Sequence, residues 1–362
     1  MGRPRGGAAG QTGPREAAAV AARISPEPSA RGFGPVRAAA SGPRPIPTPS
    51  PGAPAARPLD AAAVDGALAE LDALVGLDQV KTLVRELAAF AAVQRWRGAA
   101  GLRSEALVLH MVFSGNPGTG KTTVARILGR LLNGLGLLSR GQLVEAERAD
   151  LVGEYIGHTA AKTRELIQRA LGGVLFVDEA YSLSRGGDRD FGREATDVLV
   201  KGMEDHRRDF ALVLAGYRSE MERFLSTNPG LRSRFPTHLE FPDYGVEELL
   251  RIADGMVAER QYRLVPAARL RLAEMLRAPA ARPALATGNA RLVRNVVERA
   301  MRRQAVRLFR GGTPAQGPAL SDLLPEDLQG SARDFTGLGA APAPPPAAWT
   351  LVVPPDRRAP GT

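Results

Sequence analysis

One short segment of the sequence has the residue types and the spacing needed to hold a triphosphate. It matches the pattern G-x-x-x-x-G-K-S/T, in which glycines let successive backbone N–H groups face phosphate oxygens. The matching residues are Gly115, Asn116, Pro117, Gly118, Thr119, Gly120, Lys121 and Thr122, with Thr123 next to them. A helix that follows would direct the positive end of its dipole at the same anion. Lys121 is predicted to reach the β- and γ-phosphates, and the Thr122 hydroxyl to bind Mg²⁺.

Two adjacent carboxylates form the second candidate group. Asp178 and Glu179 directly follow the apolar run at 174–177, which reads as a buried strand. Beside a phosphate loop, Asp178 is predicted to hold the magnesium shell, and Glu179 to orient and polarise the attacking water. An acidic pair alone is weak evidence, but together with the loop it indicates hydrolysis of a nucleotide rather than binding alone. The sequence contains no Asn-Lys-x-Asp segment that would select guanine.

The elements around these residues alternate between strand and helix. Apolar runs predict strands at Ala106–Ser114, Leu143–Glu147, Val174–Asp178, Ala211–Gly216 and Thr237–Phe241. Helical periodicity predicts helices at Lys121–Leu132, Thr159–Leu171 and Glu194–His206. After Pro242 we expect helices only, at Val246–Glu259, Pro266–Leu276 and Ala290–Phe309. This order is typical of an α/β fold, a parallel sheet with helices on both faces, followed by a small α-helical lid domain.

Composition divides the chain into four predicted parts. Residues 1–68 are rich in Pro, Ala and Arg and are predicted to be a disordered arm, with an organelle transit peptide as the alternative. Residues 69–243 form the predicted nucleotide-binding domain, and residues 244–329 the helical lid. Residues 330–362 are predicted to be a disordered, Pro-rich tail.

The bulk composition bounds the classes of function. The net charge is +10, but residues 1–59 alone carry eight Arg and two Glu, so a dedicated nucleic-acid surface is not favoured. There is no apolar run of about 18 residues, so no membrane span is expected. Cysteine is absent, which excludes disulfides and fits a cytoplasmic protein.

Several segments together resemble AAA+ ATPases, and within them the subgroup of CbbX/CfxQ and stage V sporulation protein K (SpoVK). The resemblance covers about residues 69–310, and the order and spacing of its segments agree. Those segments are residues 71–81, 113–128, 149–163, 174–183, 214–221, 228–236 and 287–300. The resemblance implies a P-loop NTPase of the AAA+ type that binds ATP and Mg²⁺.

The resemblance also implies roles for residues outside the two motifs. The Leu74–Leu77 turn would lie against the adenine. Arg234 matches the arginine finger that reaches the γ-phosphate of a neighbouring subunit, with Arg232 as its competitor and a solvated basic face as the alternative. Arg291 matches the lid arginine called sensor 2.

A loop between the second strand and the next helix matches the pore loop of this family. Its residues are Tyr155, Ile156 and Gly157. In such proteins an aromatic residue here grips a polypeptide in the central channel of a hexamer. A surface loop with a packed tyrosine is the alternative.

One position departs from the family pattern. Many AAA+ proteins end the fourth strand with a polar residue, commonly Asn, that helps to place the water. Here the corresponding residues are Ala215, Gly216 and Tyr217. Tyr217 or Asn228 could fill the role, and the sensor stays unassigned.

The resemblance implies a hexameric remodeller of protein substrates, and a link to sporulation is one role that it suggests. A Rubisco activase-like or type VII secretion-type ATPase is the alternative within the family. A DNA-linked AAA+ motor and a switch that does not thread its substrate are alternatives of other classes.

Overall fold

The computed structural model describes residues 59–105, 107–155, 157–185, 190–227, 229–310 and 316–328. The two predicted disordered segments lie outside these ranges for most or all of their length. Ile156 of the predicted pore loop and Asn228, one candidate for the water-placing sensor, also lie outside the described residues.

A five-stranded parallel sheet forms the centre of the fold, with strand order β2-β3-β4-β1-β5. Its strands are β1 Met111–Gly115, β2 Leu143–Ala146, β3 Val174–Val177, β4 Ala211–Gly216 and β5 Thr237–Phe241. The predicted bounds of β4 and β5 are confirmed, and β2 and β3 each end one residue earlier than predicted. The parallel sheet that the strand–helix alternation predicted is therefore present.

The first strand is shorter than the predicted Ala106–Ser114, and His110 gives the reason. This side chain is buried against the rings of Phe210 and Phe235. Its Nδ1 accepts the backbone N–H of Leu212 at 3.1 Å, so that N–H is not available to the sheet ladder. Burial lowers the pKa of His110 to about 4, so the ring is neutral and can accept this bond. Pairing of β1 with β4 begins at Met111.

Helices cover both faces of the sheet. One face packs against α1 Ala61–Ala73, α2 Asp78–Ala99 and α3 Lys121–Gly134. The other face packs against α4 Arg148–Leu151, α5 His158–Ala170, α6 Gly192–Asp205 and α7 Arg218–Thr227, with α8 Pro229–Arg234 following α7. Strand β3 shows the alternation behind this, because Val174 and Phe176 face one core and Leu175 and Val177 face the other.

The predicted boundary of the N-terminal arm at residue 68 is wrong. Helix α1 begins at Ala61, and Asp60 caps it by accepting the Ala63 N–H at 3.0 Å. The Asp60 N–H donates to the carbonyl oxygen of Gly134 at 2.8 Å, and Ala67 is buried. Alanine-rich sequence fits both a disordered arm and a helix, and contacts with α3 favour the helix here.

The lid is helical with one small exception. Its helices are α9 Val246–Ala258, α10 Pro266–Arg277 and α11 Arg282–Arg310. The expectation of no strand after Pro242 is wrong, because β6 Arg263–Leu264 pairs in parallel with β7 Asp322–Leu323. The guanidinium of Arg263 binds the Asp322 carboxylate through two bonds of 2.9 Å, and both leucines are buried in the lid core.

Helix α11 is broken near its start. Asn289 has φ 42° and ψ −125°, and the predicted helix Ala290–Phe309 is the part that follows this kink. Among the described residues, no helix is both long and apolar enough to cross a membrane.

Candidate nucleotide site

A cleft of about 1130 Å³ lies where the carboxyl ends of the strands meet the lid. Ligands of parallel α/β sheets bind at this edge because the loops that leave the strands gather there. The predicted residues that line the cleft are Gly115, Pro117, Gly118, Gly120, Lys121, Thr122, Thr123, Asp178, Glu179 and Arg291. The fold thus brings both sequence motifs and the lid arginine to one place.

The remaining two loop residues support the loop from behind. Thr119 is fully buried, and its Oγ1 donates to the carbonyl oxygen of Asn116 at 2.7 Å. The Asn116 side chain points to the linker before the lid, where its Nδ2 donates to the two carboxylate oxygens of Asp243 at 2.9 and 3.0 Å. Thr119 and Asn116 therefore fix the shape of the loop and do not line the cleft themselves.

Lys121 is held ready inside the loop. Its Nζ donates to the carbonyl oxygens of Gly115 at 2.9 Å and Asn116 at 2.8 Å. Burial lowers the pKa of Lys121, and the negative charge of Asp178 opposes that shift. The ammonium group has three donors and a flexible stem, so phosphate oxygens can replace the loop carbonyls as its acceptors.

The acidic pair is fixed by its backbone. The N–H of Asp178 donates to the carbonyl oxygen of Ala146 at 2.9 Å, and its Oδ1 accepts the N–H of Glu179 at 2.9 Å. Glu179 has φ 47° and ψ 40°, a left-handed conformation that costs a non-glycine residue about 1–2 kcal/mol. Such strain is common at functional sites, and Glu179 is exposed to the cleft.

Thr122 and Asp178 fit the requirements of Mg²⁺. Both line the cleft, and hydroxyl and carboxylate oxygens are ligands that this cation prefers. Within the described residues no group of three or more His, Cys, Asp or Glu side chains could hold a metal. A magnesium ion in this cleft would thus take its other ligands from phosphate oxygens and water.

The turn predicted to lie against the adenine contributes part of the cleft lining. Ala73, Leu74 and Val75 line the cleft there. The Nζ of Lys81 donates to the carbonyl oxygens of Leu74 at 2.5 Å and Asp72 at 3.2 Å, which ties the turn to α2. No sequence pattern assigns Lys81 this function, because its partners are backbone carbonyls that only the fold brings near.

Tyr244 is a second residue that sequence reasoning missed. Its hydroxyl donates to the carbonyl oxygen of Thr119 at 3.1 Å, and the side chain lines the cleft. Burial raises the pKa of Tyr244 to about 12, so the hydroxyl stays a donor at neutral pH.

The lid touches the phosphate loop through its backbone. The N–H of Ala290 donates to the carbonyl oxygen of Gly118 at 3.2 Å. A Cβ atom on Gly118 would collide with the carbonyl oxygen of Gly288 and lie 2.9 Å from the backbone nitrogen of Arg291. Only glycine allows this approach, which places Arg291 at the cleft.

The arginines of α8 lie elsewhere. Arg234 donates from Nε to Glu204 Oε1 at 3.0 Å and from Nη1 to the carbonyl oxygen of Gly230 at 2.7 Å. Arg232 is exposed on the same helix. Neither side chain lines the cleft of its own chain.

Tyr155 is 66% exposed, and its ring contacts that of His158 with centroids 5.5 Å apart. This exposure contradicts the alternative of a packed tyrosine. Gly157 has φ 84° and precedes α5, so the tyrosine lies in a turn on the surface.

Tyr217, one candidate for the water-placing sensor, follows β4 and lines the cleft. Its ring lies beside that of Tyr181, with centroids 6.0 Å apart. Tyr181 lies two residues after Glu179 and also lines the cleft, and burial and then the charge of Glu179 raise the pKa of Tyr181 to about 12.

The close approach at Gly118 can be tested against a matched glycine. Gly118 (φ 74°) and Gly101 (φ 72°) share a left-handed backbone, but a Cβ on Gly101 would meet nothing within 4 Å. We expect Gly118→Ala and Gly101→Ala to lose about 1–2 kcal/mol each in the free energy of unfolding from backbone strain. Only Gly118→Ala should also weaken the binding of a fluorescent ATP analogue, by about tenfold or more. Equal affinity in the two variants would contradict a direct contact between loop and lid.

Comparisons with known proteins agree with this geometry. The family described as "ATPase family associated with various cellular activities (AAA)" matches residues 111–243, and the AAA lid domain matches residues 245–336. Stage V sporulation protein K of Bacillus subtilis is 53% identical, over 67% of this chain and 76% of the relative. Protein CbbX of Cereibacter sphaeroides is 48% identical, over 75% and 87%. The chloroplastic ribulose bisphosphate carboxylase/oxygenase activase of Cyanidioschyzon merolae is 47% identical, over 69% and 85%.

These relatives cover 67–75% of this chain, and the phosphate loop, the acidic pair and Arg291 lie within the matched families. The chain is therefore an ATP-hydrolysing member of the AAA+ ATPases, in the subgroup that contains CbbX, CfxQ and stage V sporulation protein K.

Proposed function

We propose that this ATPase acts as a hexameric ring that uses ATP hydrolysis to pull on a protein substrate. The observation that carries the proposal is the division of the catalytic residues. The cleft of one chain holds the phosphate loop, the acidic pair and the lid arginine, whereas the arginines of α8 lie outside it. A complete site then requires a second subunit, and a closed ring supplies one to every site.

Within one chain, each residue has a defined part in hydrolysis. The loop N–H groups and Lys121 bind the β- and γ-phosphates, and Thr122 and Asp178 hold Mg²⁺, which neutralises charge on the phosphate oxygens. Glu179 orients a water molecule for attack on the γ-phosphorus and polarises it. Arg291 reaches the nucleotide from the lid and couples its state to lid movement.

Arg234 is the proposed arginine finger of the neighbouring site. Its pair with Glu204 lies on the surface, with side-chain exposures of 33% and 58%, so little free energy opposes its exchange for a phosphate partner. In the transition state, a guanidinium at the γ-phosphate stabilises the developing charge. Arg232, exposed on the same helix, is the alternative finger.

The substrate is proposed to be a polypeptide gripped by the pore loop that contains Tyr155, Ile156 and Gly157. The exposure of the Tyr155 ring supports this role, because an aromatic side chain that is 66% exposed is accessible to a partner. The names of two relatives suggest two candidate roles for this ATPase in the cytoplasm. One is a sporulation-linked role, after the relative of that name, and the alternative is an activase-like role on a carboxylase.

Glu179→Gln tests the assignment of hydrolysis. The amide retains the shape of the side chain but cannot polarise water, so we expect the rate of phosphate release to fall about 100-fold or more, with ATP affinity nearly unchanged. Glu165→Gln, on an exposed position of α5, serves as the control and should keep the normal rate. Normal phosphate release by Glu179→Gln would contradict the catalytic role.

Mixing two inactive variants tests whether Arg234 acts in trans. Glu179→Gln subunits keep Arg234 but cannot hydrolyse ATP in their own cleft. Arg234→Ala subunits keep an intact cleft but lack the proposed finger. Mixed rings should recover about a tenth or more of the normal phosphate release, since some sites combine an intact cleft with an intact finger. A mixture of Glu179→Gln with Arg232→Ala shows which arginine is the finger. Mixed rings as inactive as their parents would contradict a finger supplied by the neighbour.

Tyr155→Ala tests the pore loop. We expect nearly normal phosphate release, because Tyr155 lies on the surface and does not line the cleft. In the Glu179→Gln background with ATP, binding of a fluorescently labelled, permanently unfolded polypeptide should fall about tenfold or more, as read by anisotropy. Tyr155→Phe should retain binding. Equal polypeptide affinity for Tyr155→Ala and its parent would rule out the threading role.

A further inference from the structure

We propose that Asp243 and Asn289 are positioning residues that fasten the lid to the phosphate loop and so hold Arg291 over the cleft. Asp243 lies in the linker between β5 and α9, and Asn289 lies at the kink of α11. The inference rests on the nucleotide-contacting role proposed for Arg291. It goes further by assigning a function to two residues that do not line the cleft.

Both polar atoms of the Asn289 amide are hydrogen-bonded, to the linker before α9 and to the phosphate loop. Its Oδ1 accepts the backbone N–H of Tyr244 at 3.0 Å. Its Nδ2 donates to Asp243 Oδ1 at 2.8 Å and contacts the carbonyl oxygen of Pro117 at 3.4 Å. The residue is only 1% exposed, so its amide is satisfied by these protein groups rather than by water.

Asp243 joins that amide to the phosphate loop. Its two carboxylate oxygens accept the Nδ2 hydrogens of Asn116, and Oδ1 also accepts from Asn289. A carboxylate only accepts and an amide nitrogen only donates, so the order amide, carboxylate, amide is chemically matched at both contacts. The linker carboxylate therefore ties loop and lid to the same point.

The strained backbone of Asn289 indicates that its side-chain contacts are needed to hold the kink in α11. The φ of 42° and ψ of −125° lie in a region that glycine adopts readily and that strains other residues. A conformation of this kind persists when the surrounding contacts fix it. Here those contacts come from the amide.

The kink determines where the following residues point. Directly after Asn289, the N–H of Ala290 binds the carbonyl oxygen of Gly118, and the backbone nitrogen of Arg291 lies against the same glycine. If the Asn289 amide is lost, the first turn after the kink loses its support on the linker. We expect the lid, and Arg291 with it, to take up a broad range of positions.

Spin-label distances test this directly, because the chain has no cysteine. Labels at Ala89→Cys on α2 and Ala267→Cys on α10, both exposed, report the separation of the sheet domain and the lid. With the nucleotide analogue ATPγS and Mg²⁺, we expect a narrow distance distribution in the parent. It should broaden in Asn289→Gly, with about tenfold weaker binding of a fluorescent ATP analogue.

Glycine is the informative replacement, because it relieves the backbone strain and removes the side chain together with its amide. Asn289→Gly with the parent's distances and affinity would overturn the proposal and leave Asn289 a backbone role alone. Asn295→Ala, a second asparagine of α11, is the control and should match the parent.

A swap of the two partners provides a rescue. Asn289→Asp places a carboxylate against Asp243 and should broaden the distances, whereas adding Asp243→Asn restores a donor opposite an acceptor and should narrow them again. Absence of rescue in the double variant would contradict a direct bond between the two positions as the fastening contact.

Arg291→Ala separates this inference from the proposed function. If Arg291→Ala hydrolyses ATP at the normal rate, the proposed role of the lid arginine fails, and the distance measurements still decide whether Asp243 and Asn289 fasten the lid. If Arg291→Ala is impaired while Asn289→Gly keeps narrow distances, the fastening proposal fails alone.

Discussion

Parallel pairing of β1 with its two neighbours is the constraint on which the site depends. Ser114 is in register with Gly216 of β4, and Gly115 is in register with Phe241 of β5. The phosphate loop, the loop with Tyr217 and the linker to the lid therefore leave the sheet side by side. Strand β3 pairs with the other side of β4 and adds the acidic pair to the same edge. Catalytic groups from distant parts of the sequence meet because the strands share one direction.

The second level of organisation is the contact between loop and lid. Gly118 has no side chain to separate the two backbones, so the kinked segment of α11 packs directly on the phosphate loop. A nucleotide in the cleft would contact both sides of this junction, and a change at the phosphates would reach the lid through a few bonds. In a ring, a change in the position of the lid would also displace the neighbouring subunit. Hydrolysis in one cleft would thereby cause movement of the subunit beside it.

Local patterns predicted the part of the site that is local in sequence. The phosphate loop and the pair Asp178 and Glu179 were found from spacing, because their chemistry needs neighbouring residues in a fixed order. The sheet also followed from apolar runs, and two strands matched to the residue. The start of α1 could not be found this way, since an alanine-rich segment becomes a helix only through contacts such as the bond from Asp60 to Gly134.

The supporting residues were out of reach for a different reason. Lys81, Tyr244 and Asp243 act by hydrogen bonds to groups that are set only by the fold, and Asp243 lies 127 positions from its partner Asn116. Asn289 lies inside a segment that resembles the family, yet the neighbouring residues in the sequence do not indicate that its amide hydrogen-bonds to the linker. Sequence patterns therefore predicted groups that line the cleft, and the structure adds the groups that hold them in place.

The phosphate loop, the linker and the kinked segment of α11 are expected to respond to nucleotide as one unit. Hydrogen–deuterium exchange with and without ATPγS and Mg²⁺ measures this most directly, because it reports backbone protection in each segment. We expect residues 115–122, 241–246 and 286–294 to gain protection from exchange together and at the same nucleotide concentration. Protection confined to the phosphate loop, with the linker and lid unchanged, would contradict it.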